Sequence, residues 1–160
     1  MYHIEGELNI GQLQRSLNFL VTRQEILRTN FVETEKGLTL AIHPERSIPI
    51  TQSDLSHLSK GEQAAKIIVE QKRITLQPFD LASDPLIRVH LLIFSKNKYQ
   101  LILAIHHIIG DRLSLLIFNR ELFDCYSSFK NGAEPVLPPL DFQYADYTHW
   151  KNKQSASEKS

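Results

Sequence analysis

Two adjacent histidines, with an aspartate four residues after the second, are the residues of this sequence best suited to chemistry. His106 and His107 follow an apolar run at residues 101–105, and Asp111 precedes a stretch with helical period. An imidazole titrates near neutral pH, so it can accept or donate a proton. The pattern predicts a buried strand, a short loop and a helix, which together would hold a base at the edge of a cleft.

The two histidines are not expected to act together. Neighbouring residues of a strand point to opposite faces, so one of His106 and His107 should turn into packing and the other outward. Diverging side chains make a poor chelate, and no Glu or Cys lies nearby in the sequence, so no metal site is predicted. On its own, such a pair is more often structural than catalytic.

Asp111 has three interpretations: a helix cap, an ion-pair partner, or a general acid or base. Arg88 lies inside an apolar strand at residues 86–89, where an unpaired charge would be costly. If the strands of Arg88 and His107 are paired, the guanidinium could meet Asp111 near the loop, and that ion pair would fix the loop carrying His107.

The elements that must position these residues follow from periodicity and caps. Strands are predicted at residues 2–8, 31–34, 38–42, 48–51, 86–94 and 99–106. Helices are predicted after caps at Asn9, Ser59 and Asp111, and a short one at residues 143–151. The runs at 86–94 and 99–106 are almost continuously apolar, so they should lie in the middle of a sheet that is covered on both faces.

Composition, net charge and cysteine count narrow the classes of protein to which this chain can belong. Of the 160 residues 42% are hydrophobic, which allows one domain, or part of a larger one, with a real core. Lys+Arg and Asp+Glu each number 18, so no net charge attracts nucleic acid, and no apolar run is long enough to span a bilayer. Cys125 is the single cysteine, which excludes an internal disulfide and fits a reducing, cytoplasmic setting.

Four segments together resemble the condensation domains of nonribosomal peptide synthetases. His106 to Arg112 resembles the family's HHxxxDG motif, and the other three matches follow the family's order. They are Ile26-Leu27-Arg28-Thr29-Asn30-Phe31 (LRTxF), Phe79-Asp80-Leu81 with Asp84-Pro85-Leu86-Ile87-Arg88 (FDL…PLxR), and Tyr144-Ala145-Asp146-Tyr147-Thr148-His149-Trp150 (YxDYxxW). HHxxxD alone occurs in several acyltransferase groups, whereas four ordered matches are specific.

The resemblance implies an α+β fold like chloramphenicol acetyltransferase, a two-layer α/β sandwich in which helices pack on a mixed β-sheet. In that family two such halves enclose the active site in a tunnel between them. Residues 1–153 would be the N-terminal half of a condensation domain without its first helix, and residues 154–160 a loose polar tail. The C-terminal half would have to come from elsewhere, and we expect the isolated chain to be inactive without it.

The resemblance also implies a reaction. The α-amine of an acceptor aminoacyl thioester attacks a donor acyl or peptidyl thioester, each held on the phosphopantetheine arm of a carrier protein, with no directly bound cofactor. His107 would be the catalytic residue, acting as a base or orienting the amine. His106, Asp111 and Arg88 would structure the site.

Gly110 and Arg112 would line the loop or tunnel. The family's glycine after the aspartate is Arg112 here, which would either point to solvent or narrow the tunnel.

Two other functions remain open: a non-catalytic module that recruits partners, and an epimerisation domain or other HHxxxD acyltransferase.

Overall fold

The computed structural model describes residues 1–35 and 37–157, which form six strands and four α-helices. The strands are β1 Tyr2–Glu5, β2 Thr29–Thr34, β3 Gly37–Ile42, β4 Ile50–Asp54, β5 Ile87–Ser95 and β6 Lys98–Ile105. The helices are α1 Ile10–Arg23, α2 Lys60–Leu76, α3 Arg112–Lys130 and α4 Tyr144–Ser157, and a short 3-10 helix, Glu25–Arg28, follows α1. The fold is α+β, as predicted.

Four strands form one mixed sheet in the order β1-β6-β5-β4. β5 pairs antiparallel with β6 and parallel with β4, and helix α2 makes the crossover between β4 and β5. The two strands with continuous apolar runs are therefore the central ones, as expected for strands buried on both faces. β2 and β3, both predicted as strands, form a separate antiparallel hairpin.

Helices pack on both faces of the sheet. Odd-numbered residues of β5 and β6 join α1 and α3 in the larger core, which includes Leu91, Leu101, Leu17 and Leu122. The fully buried Cys125 belongs to this core as well. Even-numbered residues of the same strands face α2 in a second core of Leu55, Ile74, Leu92 and Ile102. Helix α2 therefore covers the second face of the sheet. Because side chains alternate between the two faces of a strand, the even-numbered residues are the ones that α2 covers.

The predicted caps begin their helices. The Asn9 side chain accepts from the Gln12 N–H at 3.0 Å. Ser59 and Glu62 form a capping box, in which each side chain accepts from the other's backbone N–H. Helix α3 ends at Lys130 with Asn131 as its C-cap, and the next residue, Gly132, has a φ of 76°, which suits a residue without a side chain.

Helix α4 is longer than predicted. It continues through residues 154–157, so the expected loose tail does not begin at Gln154. Residues 158–160 of that predicted tail lie outside the described residues.

A buried polar cluster lies between α2 and the sheet. The His90 ring, 1% exposed, is within hydrogen-bonding distance of the Thr51 hydroxyl at 2.7 Å and the Ser53 hydroxyl at 3.1 Å. Glu70 lies 3.7 Å from His90 and pairs with Arg73 at 2.7 Å and Lys66 at 3.1 Å.

Burial and the charge of Arg73 outweigh the attraction of Glu70 and hold the pKa of His90 below its ordinary value. For Glu70, burial would raise the pKa, but the hydrogen bonds and charges of Arg73 and Lys66 outweigh it, and the net direction is down. The cluster therefore favours a neutral His90 beside a charged Glu70.

Within the described residues, no helix is both long and apolar enough to cross a membrane.

Candidate active site at the turn after β6

Both histidines lie in the turn between β6 and α3. β6 ends at Ile105, although the His106 N–H still donates to the Leu86 carbonyl at 2.9 Å. The Ile109 N–H then donates back to the His106 carbonyl at 3.0 Å, which closes the turn. His106 is half-buried and His107 is exposed, so the predicted divergence is confirmed, but a turn and not strand alternation produces it.

The His106 ring is held from two sides. Its Nδ1 accepts from the Ile108 N–H at 3.1 Å. Phe79 meets it in a T-shaped contact, with ring centres 5.8 Å apart and planes at 84°. The His106 ring is therefore fixed by one hydrogen bond and one aromatic contact. Because His106 belongs to the same turn as His107, the fixed ring restricts the movement of that turn.

Arg88 is anchored at the end of α2. Its guanidinium donates to the carbonyls of Gln77 at 2.6 Å and Pro78 at 2.7 Å, and it forms an ion pair with Asp84 at 3.4 Å. It also lies 3.7 Å from the centre of the Phe79 ring, over its face. Three oxygen acceptors and one aromatic face therefore compensate the burial of this cation.

The predicted ion pair between Arg88 and Asp111 is wrong. Arg88 is an even-numbered residue of β5, so it points to the face that carries α2, where carbonyls at the negative end of that helix favour a cation. Asp111 begins α3, which packs on the other face. The i, i+4 carboxylate of Asp84 takes the place assigned to Asp111.

Asp111 is the N-cap of α3. One carboxylate oxygen, Oδ1, accepts from both the N–H and the hydroxyl of Ser114, each at 2.8 Å. These hydrogen bonds hold the pKa of Asp111 below its ordinary value. Of the three interpretations left open, the cap is the one that the geometry supports.

Gly110 and Arg112 flank this cap. A Cβ on Gly110 would lie 3.1 Å from Ile105 Cδ1 and 3.2 Å from Ser114 Cβ, so a side chain here would require its neighbours to move by a few tenths of an ångström. Arg112 is the first residue of α3 and is exposed. Its backbone does not have a positive φ, so this position does not require glycine.

An apolar cleft of about 320 Å³ lies beside the turn, between the end of α1, helix α3 and residues 140–144. Ile105, Ile109 and Ser114 border it, while the His107 side chain is exposed. In the described part of the chain, no group of three or more His, Cys, Asp or Glu residues is placed to hold a metal.

Sequence reasoning does not identify two residues of this site. Phe79 stands out in the sequence only as part of a motif, although an aromatic residue near a buried arginine is a common stacking partner. Ser114 reads only as a first-turn helix residue. Its spacing of three after Asp111 is the available signal for a cap partner.

Comparison with known proteins gives consistent matches. A family model described as "Condensation domain" matches residues 1–160. A linear gramicidin synthase of Brevibacillus parabrevis is 34% identical over 148 residues, which are 92% of this chain and 2% of that protein. The dimodular nonribosomal peptide synthase of Bacillus subtilis (strain 168) is 33% identical over 156 residues, which are 97% of this chain and 6% of that protein. The chain thus spans only a small part of the length of these relatives.

Solved structures match over nearly the whole chain. The complex of the X-domain and OxyB from teicoplanin biosynthesis matches at 26% identity with a TM-score of 0.87, covering 99% of this chain and 33% of that chain. The starter condensation domain of rhizomide synthetase RzmA matches at 21% identity with a TM-score of 0.82, covering 96% and 36%. The chain thus spans about a third of each solved chain.

Proposed function

The chain belongs to the condensation domain family, and we propose that it takes part in amide bond formation during nonribosomal peptide synthesis. The α-amine of a carrier-bound aminoacyl thioester attacks a carrier-bound acyl or peptidyl thioester. The observation that carries this proposal is the exposed His107 side chain on an anchored turn at the end of a central strand.

His107 is the proposed catalytic residue. A free α-amine has a pKa of about 8, so most of it is protonated near neutral pH and does not attack a thioester. An exposed imidazole can accept that proton or hold the amine in line with the carbonyl carbon. The exposure of His107 leaves its ring nitrogens open to a substrate.

The remaining site residues have supporting roles in this proposal. His106 and Arg88 hold the turn through Phe79, and Asp111 holds the first turn of α3. Gly110 permits the close approach of the turn to α3. Arg112, exposed at the start of α3, is proposed to line the loop or tunnel.

Residues 1–153 correspond in this proposal to the N-terminal half of a condensation domain. Support comes from the outer face of α3, where Leu113 is 63% and Leu116 is 56% exposed, apolar surface that a second half would cover. The partners are then that second half and carrier proteins, whose phosphopantetheine arms bring the substrates; no directly bound cofactor is expected. A cytoplasmic setting, suggested by the lone buried cysteine, belongs to the same proposal.

Recruitment of a partner is the second candidate. The X-domain structure that matches with a TM-score of 0.87 is a complex with OxyB, so this fold also serves an interaction between proteins. An epimerisation domain is a further alternative, which would need a catalytic residue from the other half.

The test measures product formation from carrier-bound substrates by the intact protein, meaning this chain together with a C-terminal condensation-domain half, followed by mass spectrometry of the carrier arms. We expect His107→Ala to lower the rate by about 10²–10⁴-fold, the usual contribution of a general base. His57→Ala, at an exposed histidine in the loop after β4, is the matched control and should keep the wild-type rate. An unchanged rate in His107→Ala would refute the catalytic role.

The same samples separate the alternatives. Turnover absent in the wild-type protein, with retention of carrier proteins or tailoring enzymes in a pull-down, favours recruitment. Exchange of the donor α-hydrogen with deuterated water, without any acceptor, favours epimerisation.

A further inference from the structure

Three side chains form a continuous stack beneath the His106–His107 turn. The Arg88 guanidinium lies 3.7 Å from the centre of the Phe79 ring, and that ring meets His106 at 5.8 Å and 84°. Phe79 therefore contacts a cation with its face and meets an imidazole in a T-shaped arrangement, and each contact is favourable.

Both ends of this stack are fixed. Arg88 is tied to the Gln77 and Pro78 carbonyls and to Asp84. At the other end, His106 Nδ1 accepts from the Ile108 N–H, so the ring orientation is coupled to the backbone on the far side of His107. A shift of the Phe79 ring would therefore reach the His107 backbone through a single intervening side chain.

The loop that carries Phe79 is itself anchored to the hairpin. Asn30, which is fully buried, donates to the Leu81 carbonyl at 2.9 Å and the Asp84 carbonyl at 2.8 Å. The Phe31 N–H also donates to the Leu81 carbonyl at 2.9 Å. Phe79 thus projects from a segment that is itself held in place, as a residue that orients another must be.

The hydrogen bond at His106 Nδ1 also favours one tautomer of the imidazole ring. With Nδ1 accepting from the Ile108 N–H, the tautomer that fits this contact carries its proton on Nε2. Packing against Phe79 keeps that ring in the orientation that meets the Ile108 N–H.

We infer that Phe79 is a positioning residue for His107: through His106, its ring sets the pose of the turn that presents the His107 imidazole. This inference rests on the proposed function for its catalytic consequence, while the contact it describes is independent of the reaction.

The experiment compares Phe79→Leu, which keeps an apolar side chain but removes the ring, with Phe79→Tyr, which keeps the ring, in the intact protein. The matched control is Phe123→Leu, at another half-buried phenylalanine in a T-shaped contact, with Tyr2 at 6.3 Å. We expect Phe79→Leu to lower kcat about tenfold with little change in KM, since misplacement affects the reacting geometry more than binding. Phe79→Tyr and Phe123→Leu should stay near the wild-type kcat.

A second readout is independent of turnover. Diethyl pyrocarbonate modification, mapped on peptides by mass spectrometry, should rise several-fold at His106 in Phe79→Leu and stay at the wild-type level in the other two variants. Should Phe79→Leu not fold, Phe79→Met removes the ring with a more flexible side chain.

The possible outcomes test the role of Phe79 separately from the proposed function in amide bond formation. Absence of turnover in the wild-type chain combined with a C-terminal half refutes the proposed function, and the His106 modification then decides the inference alone. Unchanged kcat and unchanged modification in the ring-less variant, with only a lower melting temperature, would overturn the inference while the function stands. Equal losses in Phe79→Tyr and Phe79→Leu would overturn it as well, because the ring would then not be what positions His107.

Discussion

Gly110 is the residue at which the turn after β6 comes closest to α3. The two atoms that a Cβ would meet differ in how easily they move. Ile105 Cδ1 is the end of a flexible side chain, but Ser114 Cβ is attached to the first turn of the helix. An added side chain therefore requires a small shift at Ser114, which is harder than a rotation of the Ile105 side chain because Ser114 Cβ is attached to the helix backbone.

Gly110→Ala should lower the free energy of unfolding by about 1 kcal/mol, because an added methyl overpacks the space against Ser114. The control is Gly61→Ala in the first turn of α2, where nothing lies within 4 Å of the added Cβ. That variant should instead be stabilised by about 0.5 kcal/mol through lower entropy of the unfolded chain. Urea unfolding of both variants checks the opposite signs; equal effects would contradict the proposed close contact.

The sequence predicts that Arg88 has an acidic partner, but it does not identify that partner. The apolar run around it indicates that a buried guanidinium needs a partner, and this is correct. The run does not indicate which carboxylate, because Asp84 and Asp111 are both acidic residues at loop ends and only the strand register decides the face. The separation of four residues along the chain favours Asp84 as the partner of Arg88, whereas the resemblance to the HHxxxDG motif favours Asp111.

Among the secondary-structure elements, helix α3 has a first turn that is held by several hydrogen bonds. Asp111 accepts two hydrogen bonds from Ser114, and the Leu115 N–H donates to the Asp111 carbonyl at 3.0 Å. Free N–H groups at a helix start are costly when unsatisfied, so this cap fixes where the turn ends and the helix begins.

Asp111→Ala should therefore lower the melting temperature by a few degrees, while Asp111→Asn should retain most of the stability because asparagine also caps helices. Asp124→Ala, at an exposed aspartate within the same helix, is the control and should change little. Differential scanning calorimetry gives the comparison. An Asn variant as unstable as the Ala variant would mean that the carboxylate charge matters more than the cap.

Most elements are predictable because local signals decide them. Side-chain caps at Asn9, Ser59 and Asp111 and the apolar runs of β5 and β6 specify starts and burial without tertiary information. The end of α4 is not predictable: residues 154–157 are mostly polar and resemble a tail, yet the helix continues through them. The separation of the hairpin from the main sheet depends on long-range pairing that periodicity does not encode.

At the scale of the whole molecule, the sheet separates a larger apolar core from a smaller one that lies beside the His90–Glu70 cluster. A buried histidine with a lowered pKa ties global stability to pH. Above the unfolded pKa of about 6.5, His90 is neutral in both states and the stability is fully present. As the pH falls below that value, the unfolded state takes up the proton first, and stability is lost until His90 is protonated in the folded state too.

We therefore expect the urea midpoint of the wild-type protein to fall between about pH 7 and pH 5.5 more steeply than that of His90→Gln, which cannot titrate. His149→Gln, at an exposed histidine in α4, is the control and should keep the wild-type slope. Chemical unfolding at several pH values measures these slopes. Parallel curves for wild type and His90→Gln would show that His90 does not couple protonation to folding.

The single cysteine gives the molecule a practical property. Cys125 is fully buried in α3, and burial, with the charges of Glu121 and Asp124, raises the pKa of its thiol to about 11. At neutral pH it stays protonated and shielded, so maleimide reagents should leave it untouched. A cysteine introduced at exposed Thr75 would then carry a fluorophore alone, and the approach of other proteins to this face could be followed by its emission without removing the native thiol.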